Sequence, residues 1–173
     1  MEPRRTESAF RGQALSIDIE DWPGYPPWEI VHHLGAAAIL PITPAGEVVL
    51  VRQFRPAVRQ VITEIPAGLL DVKGEDALTC ATRELFEETG YRHTAIEFLA
   101  GYYASVGFTD EYVHLFWAET AEHPDGEPED GIEVILQPLE HMFLAAKNGK
   151  VRDAKTAIAL LLAEGRTRPS ASH

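Results

Sequence analysis

The chain has 173 residues, 45% apolar and 24% charged, and its 27 acidic against 15 basic side chains give a formal charge of -12. That length favours one domain, residues 1–173, with enough material for a well-buried core. The negative balance argues against broad binding to nucleic acid or to an anionic membrane, and a lone cysteine, Cys80, excludes an internal disulfide. Met1 to Arg11 lacks the apolar run of a signal peptide, and the longest apolar stretches, 34–42 and 157–163, are too short to span a bilayer. A cytoplasmic protein is the expectation.

In chain order, residues 1–13 are polar and read as loose. Leu15 to Ile19 alternates and predicts a strand; Trp28 to His33 predicts a second. Between them, residues 22–27 hold three prolines and a glycine, so a loop joins the two strands into an N-terminal hairpin over about 14–33. Gly35 to Ile42 is nearly continuous in apolar residues, which suits a strand buried on both faces. Thr43 to Gly46 is a turn, and Glu47 to Phe54 is the returning strand. Val61 to Ile65 is a short strand that stops at Pro66. Residues 75–89 predict a helix with an acidic start, with Leu78, Ala81, Thr82 and Leu85 on its inner face and Gly90 closing it. Strands follow at 96–104, 112–119 and 132–136, then amphipathic helices at 139–148 and 154–164, and a loose tail at 166–173. The order of elements predicts a mixed-sheet α/β/α sandwich with an N-terminal β-hairpin extension.

The stretch Arg83 to Tyr91 carries the most chemistry. Glu84 and Glu88 are four apart and Glu84 and Glu87 three apart, so on a helix the three carboxylates share one side. Alone they would repel one another, whereas a divalent cation such as Mg2+ accepts hard oxygen ligands. The plain alternative is a solvated acidic helix face. Against it stand an arginine, three glutamates and two glycines in one register. Gly68, then Glu75, then Arg83-Glu84-Leu85-x-Glu87-Glu88-x-Gly90-Tyr91 closely resembles the Nudix box, with six residues instead of five between Gly68 and Glu75.

The resemblance implies the Nudix fold and an Mg2+-dependent hydrolase, with Mn2+ as a possible substitute. It implies Glu84 and Glu88 as the main metal ligands, Glu87 binding or bridging a second ion, and the Ala67 carbonyl completing the set. Arg83 would orient the glutamates by ion pairing. Val51 to Pro56, Glu64 to Gly68 and Gly107 to Glu111 resemble the ADP-ribose pyrophosphatase subfamily, although Val106 stands where that subfamily often has proline. This likeness runs from about residue 14 to about 163. It implies cleavage of ADP-ribose to AMP and ribose 5-phosphate, with other sugar nucleotides or dinucleotides as alternative substrates. A non-catalytic nucleotide-binding regulator is the reading from a different class.

Within that resemblance, Arg55 would contact the diphosphate, as guanidinium suits a bidentate anion contact. Arg52, three residues earlier, is either a further contact or plain surface. Glu64 would bond a ribose or hold Arg55, or form a structural ion pair. Trp28 would stack on adenine, or else serve the core or a dimer interface. Phe108 is a second candidate pocket wall. The base is expected on the acidic loop 123–131, with Glu129 the first choice and Glu127 the second, on a loop that closes over substrate. A homodimer is implied, with Trp28 serving the partner's site if the hairpin is swapped.

Overall fold

A computed structural model describes residues 1–166. Most of the predicted tail, 167–173, therefore lies outside the described residues. Strands β1 (Arg5–Arg11), β2 (Leu15–Asp21) and β3 (Trp28–His33) form one antiparallel sheet. The hairpin of β2 and β3 is present, in the register Leu15 opposite His33. It gains a third strand, because β1 pairs along β2 from Arg5 opposite Asp21. All seven residues of β1 are exposed. Backbone pairing and surface ion pairs such as Arg11 to Asp18 at 2.5 Å hold it, so no apolar alternation marks it in the sequence.

The second sheet contains β4 (Ala36–Ile42), β5 (Glu47–Arg55), β6 (Gln60–Glu64), β7 (Ala67–Leu69), β8 (His93–Tyr103), β9 (Tyr112–Thr120) and β10 (Glu133–Pro138). Its main path runs β10-β5-β4-β9-β8, with β6 beside β5 and β7 beside β4. Only β4 with β9 is parallel among these pairings, which makes the sheet mixed. Helix α1 (Ala77–Thr89) covers one face, and α2 (Leu139–Lys147) with α3 (Ala154–Ala163) covers the other.

The apolar run of β4 follows from this layering. Ala37 and Ile39 pack with Cys80, Ala81 and Leu85 of α1, while Ala38, Leu40 and Ile42 pack with Phe143, Ala159 and Leu160 from α2 and α3. Successive strand residues face opposite sides, so a strand with two covered faces has no polar positions to show. Among the described residues no helix is long and apolar enough to cross a membrane.

Two local expectations change. Asp76 caps α1 by accepting the Thr79 N–H at 2.8 Å, so the helix starts at Ala77 and Glu75 lies ahead of it. The inner face uses Cys80, Ala81 and Leu85, while Leu78 is 44% exposed. Pro66 also does not end the sheet. Ala67 to Leu69 pairs with Ala38 to Ala36 as β7, which brings the backbone at Ala67 beside α1.

Candidate active site

The loop ahead of the Asp76 cap and helix α1 set three glutamates around one guanidinium. Arg83 Nε and Nη2 donate to the two oxygens of Glu75 at 2.9 and 3.0 Å. Its Nη1 donates to Glu84 at 2.6 Å and to Glu87 at 2.8 Å. Glu75 left the helix to reach this position, so its spacing from Gly68 serves the loop and not the helix face. The Arg83 bond holds the Glu75 carboxyl below its ordinary acidity range.

Glu84 and Glu88 point inward. A Cβ built at Gly68 would overlap the Glu84 carboxylate, so glycine is what lets that side chain approach β7. Burial raises the Glu84 pKa, against the pull of Arg83. Glu88 is buried; its Oε2 accepts the Ala67 N–H at 3.1 Å and its Oε1 takes a longer bond from Gln53 at 3.4 Å. Burial pushes its pKa up to about 7, opposed mainly by the Ala67 N–H. Taking two carboxylates out of water beside a third leaves negative charge that one arginine does not cancel. Hard oxygen donors in that state fit Mg2+ or Mn2+. As they stand, Arg83 engages Glu84 and Glu87, and among the described residues no three acidic, histidine or cysteine side chains form a ready metal cage.

The acidic loop already leans on α1. The Asp125 N–H donates to Gly90 O and the Glu129 N–H to Glu87 O, both at 3.0 Å. Gly90 takes a left-handed φ of 73°, and a Cβ there would strike the Gly126 carbonyl, so the helix end and the loop need glycine where they meet. Arg92 fastens the contact, bonding Asp125 at 2.9 Å and lying 3.9 Å from the centre of the Phe86 ring. Glu127 and Glu129 are both exposed, and only Glu129 is tied to α1 by its own backbone. The loop is thus tied to α1 at two points, Asp125 and Glu129.

On β5 and β6, Arg55 Nε donates to Glu64 Oε1 at 2.6 Å. Both lie near enough to Glu88 for their charges to alter its acidity. Arg52 instead reaches Glu133 on the surface at 2.9 Å. Sequence reasoning did not single out Lys155, which also bonds Glu64, or Asp153, which bonds Lys155 at 2.9 Å. Asp153 caps α3 by accepting the Thr156 N–H at 2.9 Å, and no local pattern marks a partner for Lys155 91 residues away.

Trp28 is half-exposed and borders an open cavity of about 310 Å³ with Trp22, Tyr25, Ile30, Val106 and Gly107. None of these residues belongs to α1, β5 or β6. Phe108 is not among them; its carbonyl accepts the Val31 N–H at 2.7 Å and ties the loop to β3. His32 and His33 face carboxylates rather than a shared ligand: His32 bonds Asp110 at 2.6 Å, and His33 approaches Glu111 at 3.8 Å.

The chain is similar to known proteins over most of its length. The NUDIX domain family matches residues 31–160. An ADP-ribose pyrophosphatase from Bacillus subtilis is 38% identical over 89% of this chain and 87% of its own. A methanol dehydrogenase activator from Bacillus methanolicus is 37% identical over 90% of this chain and 88% of its own. A GDP-mannose pyrophosphatase from Cronobacter sakazakii is 36% identical over 73% of this chain and 71% of its own. A solved structure described as an ADP compounds hydrolase superposes with a TM-score of 0.76 at 20% identity, over 94% of this chain and 91% of that one, which is a likeness of fold.

Proposed function

The chain belongs to the Nudix family and is a Nudix pyrophosphohydrolase acting on a nucleoside diphosphate compound, and from that premise we propose that its substrate is ADP-ribose, split into AMP and ribose 5-phosphate with Mg2+. The observation that carries the reading is the Arg83-centred set of glutamates, with the Arg55–Glu64 pair close enough to Glu88 to alter its acidity. Glu84 and Glu88, with the Ala67 carbonyl, would hold the metal, and Glu87 a second ion. When bound, such ions neutralise phosphate oxygens and make water a better nucleophile.

The protein's own groups do the rest. Arg83 keeps Glu84 and Glu87 in register. Arg55, fixed by Glu64 through Nε, offers its remaining N–H groups to the diphosphate. Glu129, or next Glu127, takes the proton of the attacking water. The water oxygen bonds to one phosphorus as that atom's bond to the bridging oxygen breaks, and the bridging oxygen leaves on the other phosphate. Trp28 supplies a face for adenine, with Phe108 as a further wall. Because the Trp28 cavity shares no lining residue with α1 or β5, we place Trp28 in the site of a partner copy, in a homodimer. The chain works as one domain, in the cytoplasm, without nucleic acid or membrane.

A second reading keeps the chemistry and changes the sugar, and the GDP-mannose pyrophosphatase relative favours it. A panel of ADP-ribose, other nucleotide sugars and dinucleotides, with Mg2+ and with Mn2+, ranks them by kcat/KM. ADP-ribose is expected to lead, and absence of AMP at high enzyme concentration would remove it. Retained nucleotide binding without turnover in the wild type would instead favour a regulator.

A further inference from the structure

The Arg55–Glu64 pair has a third member. Glu64 is 2% exposed, and while its Oε1 holds Arg55, its Oε2 accepts from the Lys155 ammonium. Lys155 lies in the first turn of α3 and is itself held by Asp153 Oδ1 at 2.9 Å. The other Asp153 oxygen accepts from Thr156 N at 2.9 Å and Thr156 Oγ1 at 2.5 Å, and Thr156 Oγ1 accepts the Ile65 N–H at 2.9 Å. Strand β6 and helix α3 are thereby locked together immediately beside Glu64.

We infer that Lys155 is a positioning residue of the diphosphate clamp: it occupies one oxygen of Glu64, so that Glu64 holds Arg55 by Nε alone and leaves the Nη1 and Nη2 groups for the substrate. A carboxylate with both oxygens free grips guanidinium by two parallel bonds. Without Lys155, Glu64 is free to take Arg55 through Nε and one Nη, which spends a further donor and removes a positive charge that an anionic substrate needs. The inference rests on the reading of Arg55 as the diphosphate contact.

Steady-state kinetics on ADP-ribose test it. Lys155→Met should raise KM about tenfold with kcat within about twofold, because binding and not the reacting atoms is affected. Lys155→Arg, which keeps the charge, should restore KM to within about threefold of wild type. In an Arg55→Met background, Lys155→Met should add less than about twofold, since its effect passes through Arg55. A loss of thermal stability with KM unchanged would overturn the assignment, as would an equal penalty in both backgrounds. If Lys155→Met yields too little folded protein, Lys155→Gln, which keeps a neutral donor for Glu64 without the charge, should raise KM by about threefold, and that rise should vanish in the Arg55→Met background; a rise that persists there would overturn the assignment. Absence of ADP-ribose turnover by the wild type overturns the substrate reading and the clamp together. Turnover by the wild type with an additive cycle overturns Lys155 alone.

Discussion

The two sides of the site manage charge in opposite ways. Along α1, one guanidinium serves three carboxylates: Arg83 bonds Glu75, Glu84 and Glu87, with Glu88 buried behind them. Between β6 and α3, one carboxylate serves two cations, as Glu64 lies between Arg55 and Lys155. The first side is left with negative charge and suits a metal. The second keeps a guanidinium aimed and suits an anion. A diphosphate would suit both, its charge met by cations held along α1 and by Arg55 from β5. The contrast separates the two jobs: α1 should govern turnover, and the Glu64 network should govern binding.

Substitutions on α1 give the largest expected effect. Glu84→Gln and Glu88→Gln should each lower kcat by at least about 10²-fold, beyond the 10–100-fold typical of groups that only support a ligand. Nucleotide binding measured by calorimetry should persist. Comparable losses in binding would erase the division between the two sides. Gly68→Ala tests the same side without touching a charge. Its methyl would displace the Glu84 carboxylate, and activity should fall about 10–100-fold with little change in melting temperature.

On the other side, Arg55→Met should act mainly on KM. Losing its charge-assisted hydrogen bonds to the diphosphate, worth about 1.5–3 kcal/mol each, should raise KM by about tenfold or more. A variant that instead lost kcat at unchanged KM would put Arg55 with the reacting atoms.

The N-terminal sheet is a contrast to both, because its polar link to the body is half-exposed. His32 bonds Asp110 at 2.6 Å and lies 3.4 Å from Asp18, with Arg11 on Asp18 from the other side. The Asp110 bond raises the His32 pKa. For Asp110, burial alone would raise the pKa, but the bonds from His32 and the His33 N–H hold it lower. A raised histidine stabilises the fold fully below about 6.5 and loses that contribution as pH rises through its folded value. A depressed aspartate stabilises above about 3.9 and loses it as pH falls through its folded value. His32→Asn should therefore cost most near pH 5 to 6 and least at pH 8. At such a solvent-screened pair the cost should stay within about 1 kcal/mol. Thermal melts across that range check it; a larger loss at pH 8 would contradict the pairing.

What the sequence reveals follows the same division. The α1 side was legible because Arg83, Glu84, Glu87 and Glu88 sit within six residues and helical geometry alone brings them together. The Glu64 side was half legible. Arg55 and Glu64 were singled out through a family likeness, but Lys155 joins them only because α3 packs against β6, a tertiary event with no local signal. Strand β1 escaped notice for a different reason: all its residues are exposed, and a strand that buries nothing has no hydrophobic period to read. The inner face of α1 falls on Cys80, Ala81 and Leu85 and leaves Leu78 44% exposed, because packing against β4 and not local pattern sets which side is covered. Burial of Cys80 pushes its thiol up to about 12, in keeping with a packing role.

Incubation of the wild-type protein with ADP-ribose and Mg2+, with products separated by chromatography, tests the central claim most directly. The account predicts AMP and ribose 5-phosphate in equal amounts, lost on chelation and restored by added Mg2+. ADP-ribose left intact at high enzyme concentration, while another nucleotide sugar is cleaved, would contradict it.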